Sequence, residues 1–86
     1  MGNTIQSSTA MFKNCPALSK FNGDLSNITN GTDMFNGCSS LTAFEGNLNE
    51  LYNGSYMFAN SGLTTFECNL NKLYNGTDMF QRLQPA

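Results

Sequence analysis

The chain has 86 residues, of which only 12% are charged, a formal net charge of −2 and no histidine. Its few cations, Lys13, Lys20, Lys72 and Arg82, are scattered, which argues against the basic patch of a nucleic-acid binder, and no apolar run reaches the about 18 residues that span a bilayer. Without histidine, Ser-His-Asp and Cys-His catalysis are excluded, and a zinc site lacks ligands because there is no Cys-x-x-Cys either.

The first residues, Met1 to Ser8, offer neither a basic start nor an apolar stretch, so they do not read as a secretion signal. Any such signal would lie outside the sequence given. At Met11-Phe12 the dominant feature begins. The pair returns at Met34-Phe35, Met57-Phe58 and Met79-Phe80, at separations of 23, 23 and 22 residues. A period of this length marks a repeat array, in which each unit buries its apolar side against its neighbours.

Aligned on that pair, the other apolar positions form columns. Leu18, Leu41 and Leu63 follow first, then Phe21, Phe44 and Phe66, then Leu25, Leu48 and Leu70, and then Ile28, Leu51 and Leu73. The stretch from leucine through phenylalanine to Gly23, Gly46 or Cys68 predicts a short strand, with Leu41, Phe44 and Gly46 pointing inward. Adjacent units would pair these strands in parallel. Gly23-Asp24 and Gly46-Asn47 predict turns, where positive φ is tolerated. A second brief extended piece is expected at Leu48 and Leu51. Corners follow at Asn30-Gly31, Asn53-Gly54 and Asn75-Gly76, and Thr32-Asp33 or Thr77-Asp78 would then cap a single helical turn through Met-Phe. The third unit is one residue short because its loop, Phe58 to Leu63, has lost a position.

The expected fold is therefore an α/β solenoid, a right-handed coil of short parallel strands and single-turn helices with about 23 residues per repeat. It divides into a partial repeat 1–10, repeats 11–33, 34–56 and 57–78, and a partial repeat 79–86. Residues 3–10 match the closing third of a unit, with Ile5 in the Ile28 column. Neither flank reads as a polar cap, so the stretch is expected to be a piece of a longer repeat array, with end-to-end self-association, as in the structural unit of a fibre, phage or other assembly, as the alternative.

The unit Met34-Phe-Asn-Gly-Cys-Ser-Ser-Leu-Thr-Ala-Phe44 resembles the repeat of BspA-like leucine-rich-repeat proteins of bacteria, with its x-F-x-x-C-x-x-L motif before a short strand. Met11 to Leu18 keeps that spacing, and Met57 to Leu63 keeps it minus one residue and the cysteine. The resemblance implies an extracellular or cell-surface protein, often one that adheres to host or matrix proteins, and it brings no catalytic residue. It also implies recognition through the outward strand face. A protein or glycan ligand is the expected partner, and no cofactor is called for.

On that face the outward positions include Lys20, Asn22, Thr42, Glu45, Thr64, Thr65 and Glu67. Glu45 and Glu67 fall one unit apart; a solvated edge is their default reading, with a cation site or a carboxylate pair for glycoside chemistry as the sharper ones. Tyr52 and Tyr74 share a column beside the Asn-Gly corners and form a secondary candidate, although a half-buried ring closing the core edge is the plainer expectation. Cys15 and Cys38 share another column and read as small core residues. The columned asparagines read as structural, bonding from unit to unit. The Asn-x-Ser/Thr triplets at Asn27, Asn30, Asn53 and Asn75 say little about glycosylation in so Asn-rich a chain.

Overall fold

The computed structural model describes residues 9–83, so Ile5 and the outermost parts of both flanking part-repeats lie outside the described residues. Two strands are present, β1 (Lys20–Gly23) and β2 (Ala43–Gly46), paired in parallel with Phe21 opposite Phe44 and Asn22 opposite Glu45. Isolated parallel bridges join Asn30 to Asn53 and Asn53 to Asn75. The α/β solenoid expected from the period is overturned: among the described residues there is no helix, and the sheet has only these two strands.

The backbone around each Met-Phe pair explains the missing helical turn. Asp33 has φ 59° and Gly37 φ 86°, and the matching residues Ala10, Tyr56 and Asp78, and Asn14, Asn60 and Arg82, are left-handed as well. A left-handed residue on each side of the pair breaks a right-handed helix. Instead the amides of Met34, Asn36 and Cys38 close successive turns on the carbonyls of Gly31, Asp33 and Phe35, at 2.9, 3.1 and 3.2 Å. Asp33 and Gly37 occupy the third positions of the outer two turns, where a type II turn requires positive φ.

The alternate amides leave the unit altogether. Gly31, Asp33, Phe35 and Gly37 donate to the carbonyls of Asn53, Ser55, Met57 and Ala59 in the next unit, at 2.8 to 3.0 Å. Gly54, Tyr56, Phe58 and Asn60 repeat this on Asn75, Thr77, Met79 and Gln81. The first unit does likewise from Ala10, Phe12 and Asn14. These sideways bonds consume the amides that a helix would direct back along its own axis.

Between units lies a continuous apolar interior. Met34, Phe35, Cys38, Leu41, Leu48, Leu51, Met57 and Phe58 are fully buried, and Leu25, Phe44, Leu63 and Met79 nearly so. Six of the seven phenylalanines join it, and Phe80 stacks on it from the exposed side. One column runs Phe12, Phe35, Phe58 and Phe80, with near-parallel rings 5.3 to 5.8 Å apart. A second runs Phe21, Phe44 and Phe66. Tilted contacts of 5.0 to 5.7 Å zigzag between the columns. Offset-stacked and edge-to-face rings add to the burial of so much apolar surface.

The third unit does not complete the sheet. Its missing residue sets Gly62 against the Ser39 carbonyl, so close that a Cβ there would lie 2.6 Å from the oxygen. Thr64 reaches the Thr42 carbonyl only at 3.4 Å, and Phe66 lies 6.0 Å from Phe44 where Phe44 lies 5.4 Å from Phe21. The stacking order survives the deletion but the strand does not. The second extended piece is likewise replaced by turns, with the Leu51 amide closing on the Leu48 carbonyl at 3.1 Å.

Candidate functional site

Phe21 and Phe44 anchor their strands in the core, and strand alternation then turns Asn22 and Glu45 outward. Lys20, Asn22, Thr42, Glu45, Thr64, Thr65 and Glu67 are all exposed. The structure divides them. Asn22, Glu45 and Glu67 border an open cleft of about 630 Å³, together with Asp24, Ser26, Asn47 and the rim of Phe44. Thr64 and Thr65 instead border an apolar groove of about 100 Å³ with Leu63, Phe66, Phe80 and Leu83. Lys20 and Thr42 border neither.

The cleft is acidic and rich in acceptors. The Asp24 carboxylate accepts the Ser26 amide at 2.9 Å, and hydrogen bonds from the Ser26 hydroxyl and amide hold its carboxyl below the usual carboxylate range. Asn47 closes a matching turn by accepting the Asn49 amide at 3.1 Å. Asp24, Ser26 and Asn47 are site residues that the reading of the strand face missed. For Asp24 and Asn47 the signal was the position just after each strand, where Asp and Asn are favoured by the turn itself and so carry two roles at once. Among the described residues, no group of three or more metal-ligating side chains converges. What the arrangement offers is a row of carboxylates and amides suited to hydroxyl or ammonium donors.

On another side, Tyr52 and Tyr74 stack with ring centres 5.0 Å apart and planes 6° from parallel. They are 53% and 77% exposed, so the half-buried position expected for them is corrected. The Tyr74 amide donates to the Tyr52 carbonyl, which fixes the pair's spacing. Rigid exposed rings of this kind suit a contact surface.

The asparagine columns act mainly within their own units. Asn30 Oδ1 accepts both the amide and the hydroxyl of Thr32, Asn53 those of Ser55, and Asn75 those of Thr77, at 2.7 to 3.1 Å. This pairing accounts for Ser or Thr after each Asn-Gly corner. Outside these columns, the Asn60 amide nitrogen donates to Asn36 Oδ1 in the neighbouring unit at 3.0 Å. Cys15, Cys38 and Cys68 are free thiols. Cys38 donates to the Phe12 carbonyl and Cys68 to that of Gly46, at 3.1 and 3.2 Å. Comparison with protein-family models, with curated proteins and with solved structures finds no match to the chain.

Proposed function

We propose that the chain is a non-enzymatic binding module that recognises a protein or glycan through the exposed face bearing Lys20, Asn22, Thr42, Glu45, Thr64, Thr65 and Glu67. The observation that carries this reading is the acidic cleft, where Asn22 and Glu45 on the paired strands and Glu67 of the third unit meet Asp24, Ser26 and Asn47. Sugar hydroxyls or peptide ammonium groups are the donors such a surface would satisfy. The resemblance of the x-F-x-x-C-x-x-L units to BspA-like repeats supports an extracellular or cell-surface setting and a role in adhesion. No catalytic step enters the reading, since there is no histidine to act as a base and Glu45 and Glu67 stand exposed.

A glycan array and a panel of immobilised matrix proteins test it. The Glu45→Gln/Glu67→Gln variant should lose at least about tenfold in affinity for whatever the chain binds, the equivalent of one charge-assisted hydrogen bond. Binding unchanged in that variant, but lost in Tyr52→Ala/Tyr74→Ala, would move the site to the stacked tyrosines. No binding to either panel would overturn the reading.

A further inference from the structure

Tyr52 and Tyr74 are held together more firmly than two exposed side chains need be. Their ring centres are 5.0 Å apart and their planes 6° from parallel. The backbone beneath fixes that spacing. The Tyr74 and Asn75 amides both donate to the Tyr52 carbonyl, at 2.9 and 3.0 Å, and the bridge between Asn53 and Asn75 follows directly. Two residues before the pair, Lys72 Nζ meets a Glu50 carboxylate oxygen at 3.0 Å. The second and third units are thus fastened on both sides of the rings. Tyr52 has a described unit on either side of it and is still 53% exposed, so the pair is open to solvent from within the stack.

A phenol held against a second phenol in water has a reaction that neither has alone. Loss of an electron and a proton turns tyrosine into a phenoxyl radical, whose unpaired electron is shared with the ring carbons ortho to oxygen. Two such radicals couple through those carbons.

We propose that Tyr52 and Tyr74 form an oxidative cross-linking site, at which a one-electron oxidant of the haem-peroxidase class joins them as dityrosine and staples the second unit to the third. Each phenol gives one electron to the oxidised haem of that enzyme and one proton to water. The two radicals form one carbon–carbon bond between ortho carbons. Each of those carbons then releases its hydrogen as a proton to water while its own phenoxyl oxygen takes one up, which restores both aromatic rings. The net change is two hydrogens lost from the pair and one hydrogen peroxide reduced to two waters.

Proximity decides which radicals meet. Groups held side by side react at an effective concentration on the order of mM or more, against about 10 μM for a second copy in dilute solution. Tyr56 separates the effect of the fold from that of the chain. It lies four residues from Tyr52 where Tyr74 lies 22 away, and it is exposed, yet it stacks on no ring among the described residues. An unfolded chain closes the shorter loop more readily and favours a link from Tyr52 to Tyr56. The folded chain favours Tyr52 to Tyr74. The inference uses neither the acidic cleft nor a ligand, so it fails or holds apart from the strand-face reading.

Treatment of the chain at about 10 μM with a haem peroxidase and limiting hydrogen peroxide tests it. Products are reduced before they are read, so that disulfides formed by the three free thiols revert while a carbon–carbon bond persists. The single-copy product should show dityrosine fluorescence and a mass lower by two hydrogens, and its proteolytic fragments should join Tyr52 to Tyr74. Tyr56→Phe should leave that yield unchanged. Tyr52→Phe and Tyr74→Phe should each lower dityrosine in the single-copy product at least about tenfold. In unfolding urea the link from Tyr52 to Tyr56 should lead instead. Absence of dityrosine, dityrosine mainly between copies, or a Tyr52 to Tyr56 link that leads in the folded chain overturns the proposal. So does a cross-linked chain whose urea midpoint is no higher than that of Tyr52→Phe treated in parallel, because a staple between units must resist their separation.

Discussion

Gly37 sits where two demands coincide. Its φ of 86° is left-handed, and a Cβ there would strike Oδ1 of Asn14 in the preceding unit. Gly37→Ala should therefore lower the unfolding free energy by about 1–3 kcal/mol, read from the midpoint of urea unfolding. An unchanged midpoint would mean that the turn relaxes around the new methyl. Ser61 presents a different fault. It takes the column position of Cys15 and Cys38, is fully buried, and its hydroxyl finds no partner among the described residues. Restoring the column residue with Ser61→Cys should stabilise the fold by about 1 kcal/mol, since an unsatisfied buried hydroxyl is replaced by a weakly polar thiol. A loss of stability in the same urea experiment would show that the larger sulfur does not fit beside Phe58.

Within the elements, the phenylalanine zigzag packs each unit against its neighbours. Phe44 touches four other rings, Phe21, Phe35, Phe58 and Phe66. Phe44→Ala should cost about 3–5 kcal/mol as a core deletion. Thr42→Ala, on the exposed side of the same segment, should stay within about 0.5 kcal/mol. Equal effects at the two positions would refute the assignment of inner and outer faces. These columns were legible in the sequence because a fixed period forces chemically alike residues into register. The turns around Met-Phe were not. Their left-handed residues include Asp33, Tyr56 and Ala10, and nothing in tyrosine or alanine favours positive φ. The conformation is imposed by the sideways bonds to the next unit, a tertiary effect that overrides local preference. Asn14, Gly37 and Asn60, three residues after their methionines, and Asp33 and Asp78, just before theirs, were the local signs of it. The cysteine columns add a pH dependence. Burial pushes the thiols of Cys38 and Cys68 up from the ordinary value of 9.0. The folded chain then holds protons that the unfolded chain releases, so this stability is complete below that value and is lost as pH rises through the folded one. Iodoacetamide labelling should modify Cys15 before Cys38, and urea midpoints should fall on going from neutral to strongly alkaline pH. A flat profile would show that the buried thiols ionise as freely as exposed ones.

At the scale of the whole molecule, stability belongs to the interfaces between units more than to any unit alone. Among the described residues no unit has a helix or a sheet of its own, and β1 and β2, from neighbouring repeats, pair only with each other. The residues lining the acidic cleft illustrate the same point, since Asn22 and Asp24, Glu45 and Asn47, and Glu67 come from three successive units. Sequence reading found the outward column because it follows the period; it could not find a concavity that exists only once the units are side by side. If interfaces dominate, adding one should add stability. Duplicating residues 34–56 in place keeps every column in register, because Tyr56 would be followed again by Met-Phe at the 23-residue spacing. The elongated chain should unfold at a higher urea concentration in one transition, with a slope that grows with the extra surface buried. Insertion as an unpaired loop would leave the slope near the wild-type value and add a new protease-sensitive site. That second outcome would show that the units do not pack by a transferable rule, and that the columns owe their order to this one arrangement alone.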